Sequence, residues 1–158
     1  MNEKKVEFTY KVLKTEELSA EDALLRKIVI ESSRHSYAPY SKYNVGAAVV
    51  LDGGGHVKGC NQENAAFPSG ICAERVALFS ASSAFPTATI SSLGIIALKD
   101  GNIQASVSPC GGCRQVLLEA EQRQEDQPIR VLLFGRDETI IIPSAKDLLP
   151  LCFGKTNL

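Results

Sequence analysis

The chain has 158 residues, with 17 basic and 18 acidic side chains, a formal net charge of -1, 44% hydrophobic residues and no tryptophan. That is one ordinary domain, 1–158, able to bury a core without disulfide support, and its charge gives no general attraction to nucleic acid or an anionic membrane. The longest apolar runs, such as Ile140–Ile142 and Leu148–Leu151, fall far short of the ~20 residues that span a bilayer.

Along the chain, Val6, Phe8, Tyr10 and Val12 alternate with polar residues and predict a short, half-exposed strand within an N-terminal extension, residues 1–17. Ser19 and Asp22 form a capping-box pattern ahead of a helical apolar face at Leu24, Leu25, Ile28 and Val29. That helix should fade near Tyr37-Ala38-Pro39, since the residue before a proline avoids the helical region. Val45–Leu51 and His56–Cys60 read as a hairpin around Asp52–Gly55, whose glycines supply positive φ. A polar loop, Asn61–Ile71, leads to an alanine-rich helix over Cys72–Phe85. Leu93–Leu98 is a strand and Asp100–Asn102 a turn. Pro109 introduces a helix over Cys110–Gln122, with Val116, Leu117 and Ala120 inward and the charged run Glu121–Asp126 as its solvated end. Ile129–Phe134 and Thr139–Ile142 are strands, and Ser144–Leu149 a short helix. Strands and helices in this order predict an α/β sheet with at least two parallel pairings.

The five cysteines are Cys60, Cys72, Cys110, Cys113 and Cys152. Their odd number, with no apolar leader behind the lysines of Met1–Val6, argues for a reducing, cytoplasmic compartment. Cys60 and Cys152 read as small buried hydrophobes. Cys110-Gly-Gly-Cys113 is a C-x2-C pair, and Cys72 stands with Cys110 at a predicted helix start. Free N–H groups and the helix dipole favour a thiolate there. Three thiolates on Zn²⁺ leave one tetrahedral position open, as a catalytic rather than structural zinc requires. Glu74, on the first turn beyond Cys72, is free to move protons to and from an activated water. Arg75 and Arg114 each follow a ligand and can donate to sulfur, withdrawing charge from an over-thiolated metal; a solvated helix surface is the competing reading for both.

Cys72-Ala-Glu74 followed by Pro109-Cys110-Gly-Gly-Cys113 resembles the ligand-x-Glu and P-C-x-x-C elements of zinc deaminases. From about Ser36 to Gly154 the chain resembles the small three-cysteine cytidine deaminases. Tyr40-Ser-Lys-Tyr43-Asn-Val-Gly-Ala-Ala48 is similar to a family stretch in which phenylalanine usually stands at the place of Tyr43. The resemblance implies that this ring lies against the pyrimidine. Within Gly59–Phe67, it implies that Asn61 and Glu63 hold the sugar hydroxyls, although loop capping by Asn61 and a surface bond by Glu63 are the readings without it. Ala65, Phe67 and Phe153 match positions that cross subunit interfaces in the family's homotetramer, with plain packing the alternative for Tyr43 and Phe153. The family fold has three layers, a mixed five-stranded sheet with helices on both faces. The implied reaction is hydrolytic deamination of cytidine and 2′-deoxycytidine, in pyrimidine salvage.

Overall fold

The computed structural model describes residues 1–125 and 127–158. Ser19 caps α1 (Ala20–Ser33) by accepting the Asp22 N–H at 3.1 Å. Asp22 does not complete the reciprocal half of the box; its carboxylate instead takes the Arg130 guanidinium at 3.2 Å. The hairpin is β2 (Tyr43–Leu51) and β3 (His56–Cys60), with Gly53 and Gly54 at φ 95° and 91°. After the polar loop come α2 (Ala73–Ala84), β4 (Ile90–Lys99) and the two-residue β5 (Asn102–Ile103). The chain ends with α3 (Gly111–Arg123), β6 (Arg130–Phe134), β7 (Glu138–Ile142) and a 3-10 turn at Ala145–Leu148.

The N-terminal strand β1 is Lys11–Lys14, antiparallel to β7, and not Val6–Val12. Alternation alone does not make a strand. Pairing needs a partner, and β7 is spent beyond the Lys11↔Ile141 pair, because Pro143 can donate no ladder hydrogen bond.

The sheet has seven strands in the order β1-β7-β6-β4-β2-β3, with β5 against β4. It therefore exceeds the expected five by the edge strand β1 and the short β5, whose first residue, Asn102, falls in the expected Asp100–Asn102 turn. The expected number of parallel pairings is also corrected. Only β4 with β6 is parallel among the described strands; β2 pairs β3 and β4 antiparallel on its two sides. The β3–α2–β4 crossover passes over β2, so β3 and β4 run the same way without touching.

This topology places the helix starts. Because β3 and β4 point in one direction, the helices that follow them both begin at the same end of the sheet. Strand β2, running the opposite way, begins there too. Helix α1 covers one face with Leu25 and Val29 against Ala48, Ile96, Leu132 and Phe134. Helices α2 and α3 cover the other, where Ala73, Ala77, Leu78, Ala81 and Leu117 pack on Ala47, Val49, Leu93, Ile95, Val131 and Leu133.

Two glycines let the helices approach. A Cβ at Gly46 would lie 2.0 Å from Val29 O on α1, and one at Gly59 would lie 2.4 Å from Ala73 O and 2.5 Å from Ala77 N on α2. Ala73 and Ala77 of α2 thus meet bare backbone of this chain's own sheet at Gly59.

The charged run at the end of α3 is not simply solvated. Glu121 is 1% exposed, and its carboxylate accepts the Ile129 N–H and Ala145 N–H at 2.8 Å each and the Ser144 hydroxyl at 2.6 Å. It ties α3 to the start of β6 and to the C-terminal turn. Asp126, the last residue of that run, lies outside the described residues. Cys152 is exposed rather than a core filler, whereas Cys60 is half-buried with its sulfur accepting from Gln62.

Candidate active site

Cys72 is the N-cap of α2 and Cys110 the N-cap of α3, with Cys113 in the first turn of α3. Neither cap residue spends its side chain on the helix, so both sulfurs are free to turn toward each other. The three sulfurs lie within 4.8 Å of one another, Cys72 to Cys110 at 3.9 Å and Cys110 to Cys113 at 3.5 Å. A tetrahedral zinc with Zn–S near 2.3 Å separates its sulfurs by about 3.8 Å. The cluster therefore fits zinc in both donor type and spacing. It is the one group of metal-ligating side chains among the described residues, and Cys60 is not part of it.

Electrostatics favour thiolate at this point. The Cys113 thiol, and behind it the Arg75 guanidinium, donate to the Cys72 sulfur and hold its pKa down at about 5. Cys113 is pushed upward by that same pairing and by burial. Arg75 Nη2 stands 3.8 Å from the Cys72 sulfur, one helical turn along. Its Nε is buried with no hydrogen-bond partner.

Glu74 is 5% exposed, and burial raises its pKa above the usual carboxylate range, with the negative Cys72 adding to the shift. Its position follows from the α2 packing: Ala73 is pressed on Gly59, so the neighbours Cys72 and Glu74 emerge at the floor of a cavity of about 960 Å³. The same cavity is lined by Tyr43, Asn61, Glu63, Phe67 and Arg75. It is large enough for a small-molecule substrate.

The walls are braced from β3. Asn61 Oδ1 accepts the Val45 N–H at 2.8 Å, and its Nδ2 donates to Tyr43 O at 2.9 Å. The Glu63 carboxylate accepts the Tyr40 and Ser41 N–H groups at 3.0 and 3.3 Å and also the Ser41 hydroxyl. These bonds, the hydroxyl foremost, hold its pKa below the usual range. Tyr43 is partly buried, and desolvation raises its phenol. Phe67 stands at the rim, 78% exposed, edge-on to Tyr40.

Three of the singled-out residues lie outside this chain's own cavity. Arg114 donates to Pro109 O at 2.9 Å, Leu148 O at 3.1 Å and Ser108 Oγ at 2.9 Å, so it fixes the backbone leading into Cys110 and does not donate to sulfur as the sequence reading had it. From the fourth residue of α3 the guanidinium reaches back past the helix start, where Pro109 O, Ser108 Oγ and Leu148 O take up its donors. Ala65 and Phe153 do not line this cavity; Phe153 is exposed beside α3, where its carbonyl accepts from Gln115. Conversely, Ser41, Val107 and Ser108 line the cavity and were not singled out. Ser108 had a signal, since it immediately precedes Pro109-Cys110.

Residues 19–125 match the family described as the cytidine and deoxycytidylate deaminase zinc-binding region. A cytidine deaminase of Sporosarcina psychrophila is 41% identical over 137 residues, covering 85% of this chain and 94% of that protein. One from Mycobacterium tuberculosis H37Rv is 34% identical over 137 residues, covering 85% and 91%. The crystal structure of cytidine deaminase from Burkholderia pseudomallei superposes with a TM-score of 0.70 at 34% identity, covering 83% of this chain and 98% of that one. With the cysteine trio, the buried glutamate and the three-layer sheet in place, this chain belongs to the zinc-binding cytidine and deoxycytidylate deaminase family.

Proposed function

We propose that this chain is a zinc-dependent hydrolase that converts cytidine and 2′-deoxycytidine to uridine and 2′-deoxyuridine, releasing ammonia. The observation that carries this reading is a buried carboxyl, Glu74, which lines a nucleoside-sized cavity together with Cys72, one sulfur of the three-cysteine cluster. Zinc held by Cys72, Cys110 and Cys113 supplies a Lewis acid that makes water nucleophilic near neutral pH.

The chain's own groups then move protons and hold the substrate. Glu74 takes a proton from the attacking water as its oxygen bonds to C4 of the pyrimidine. It delivers that proton to ring N3, then carries the remaining proton of the added C4 hydroxyl to the 4-amino nitrogen, so that C4=O forms as the C–N bond breaks and ammonia leaves. Arg75, donating to the Cys72 sulfur, draws charge from that ligand. Tyr43 offers a ring face to the pyrimidine, and Asn61 and Glu63 face the sugar. Glu63 uses its carboxylate on Tyr40 and Ser41 and still has a lone pair for a hydroxyl.

The assembly is a homotetramer in which Phe67, Ala65 and Phe153 lie at the subunit interfaces that complete the cavities. Support comes from the exposed rings of Phe67 (78%) and Phe153 (61%) and from Leu151 at 88%. No described helix is long and apolar enough to cross a membrane, and the unpaired cysteines suit a cytoplasmic, reducing environment.

The test is an ultraviolet assay of zinc-quantified protein with cytidine, alongside Glu74→Ala. The variant should keep about one zinc per chain and lose at least ~10³-fold in kcat, the scale of general acid–base catalysis. Near-normal turnover by that variant would sink the mechanism.

A further inference from the structure

Residues 5–10 precede β1 and make no described backbone hydrogen bond. The segment is nevertheless extended in its side-chain pattern. Lys5 pairs with Glu7, and the Phe8 and Tyr10 rings lie 6.2 Å apart, both contacts between residues two apart on one side of the chain. Val6, Phe8, Tyr10 and Val12 form an apolar row, each 45–59% exposed. The row continues an edge strand, since β1 pairs with β7 on one side only.

Backbone polarity gives the open edge its direction. The Thr15 N–H reaches Asp137 O beside the Lys14↔Glu138 pair, so odd positions turn their backbone groups toward β7. Even positions, Tyr10 and Val12 among them, present theirs outward. An unpaired edge of this kind is a template for another strand.

The sequence Val6-Glu7-Phe8-Thr9-Tyr10-Lys11-Val12 reads alike in both directions in its chemistry. Laid antiparallel on a copy of itself about Thr9, it sets Val6 against Val12, Phe8 against Tyr10 and Glu7 against Lys11, each twice. Shifting the centre to Phe8 would oppose Lys5 to Lys11. Shifting it to Tyr10 would oppose Glu7 to Leu13 and Val6 to Lys14. Beyond the palindrome, Lys4 would meet Lys14, which ends the favourable stretch. Opposite charges and aromatic pairs directly across an antiparallel ladder stabilise it, and like charges oppose it.

We propose that the arm Val6–Val12 pairs antiparallel with the same arm of a second copy of this chain, about a two-fold axis at Thr9. The contact is isologous and separate from the subunit contacts proposed around the cavity. Even-numbered residues form the hydrogen-bonded pairs. Thr9 faces its own copy in a non-hydrogen-bonded pair, where Cα atoms stand about 4.5 Å apart and a disulfide can close.

The test uses the full chain with Thr9→Cys, oxidised mildly and run on a non-reducing gel beside the parent, whose own cysteines set the background. Total mass alone would not discriminate, because the proposed tetramer forms through other surfaces. A cross-linked dimer dependent on Thr9→Cys is expected. Adding Glu7→Lys should cut its yield about fivefold or more, because two opposite-charge pairs become like-charge pairs, and adding Lys11→Glu as well should restore it. No cross-link above the parent, or one indifferent to Glu7→Lys, overturns the proposal. Cytidine turnover stays at the parent level throughout, because the arm lines no part of the cavity.

Discussion

Replacing Gly59 by alanine tests whether the helix–sheet contact beneath the cavity sets the chemistry above it. The new methyl would sit 2.4 Å from Ala73 O and 2.5 Å from Ala77 N, both backbone atoms, whereas ordinary contact begins at 3.4 Å. Neither atom belongs to a flexible side chain, so α2 must retreat by about 1 Å, an overpacking strain of about 1–3 kcal/mol. For a chain of this size that lowers Tm by roughly 3–10 °C. The retreat moves Cys72 and Glu74 together, since they flank Ala73, while Cys110 and Cys113 on α3 stay behind. A displacement of that size within a reacting constellation costs about 10²-fold. The measurements are thermal melts, zinc content and kcat per folded molecule. Gly46→Ala is the control on the opposite face: its methyl would meet Val29 O at 2.0 Å and displace α1, which lines no part of the cavity. It should lose stability and keep kcat. If Gly59→Ala lowers Tm but leaves kcat and zinc intact, the helix does not transmit the strain and the reasoning fails.

Two further outcomes are expected. Because the Glu63 pKa is depressed in the folded chain, its hold on the Tyr40–Ser41 turn is complete above the ordinary value of 4.5 and is lost only as pH falls through the lower folded value. The Tyr40 and Ser41 amide resonances should therefore titrate with a midpoint below 4.5, and a midpoint at or above it would contradict the bonding. Stripping zinc with a chelator should abolish turnover while leaving a cooperative melt, because α2 and α3 are seated by Ala73, Ala77, Ala81 and Leu117 independently of the metal. Unfolding of the stripped chain would make the metal structural instead.

What could be read without coordinates was local. The cysteine trio and Glu74 depend on spacing within one turn of each helix and on Pro109 just ahead of Cys110, and the helix starts lie within a residue of where those signals put them. The misreadings concern partners distant in sequence. Glu121 looks like part of a solvated charged run because the groups that bury it, at Ile129, Ser144 and Ala145, come later in the chain. The pairing of β4 with β2 rather than β3 is likewise invisible to periodicity, which marks a strand but not its neighbour. Arg114 is intermediate: its position beside a ligand was plain, but the carbonyls it prefers include Leu148, far along the chain.

The two hydrogen bonds from Asn61 to β2 have a consequence for redesigning selectivity. Asn61, which we propose faces the sugar, also holds the backbone on either side of Asn44, and so sets the pose of the Tyr43 ring. On that proposal, sugar preference and base preference are mechanically coupled. A library that varies Asn61 to accept altered riboses would shift the aromatic wall as well, and its kinetic effects would spread across both halves of the substrate. Changes at Phe67, which stands at the rim outside that bracing, offer the more separable handle.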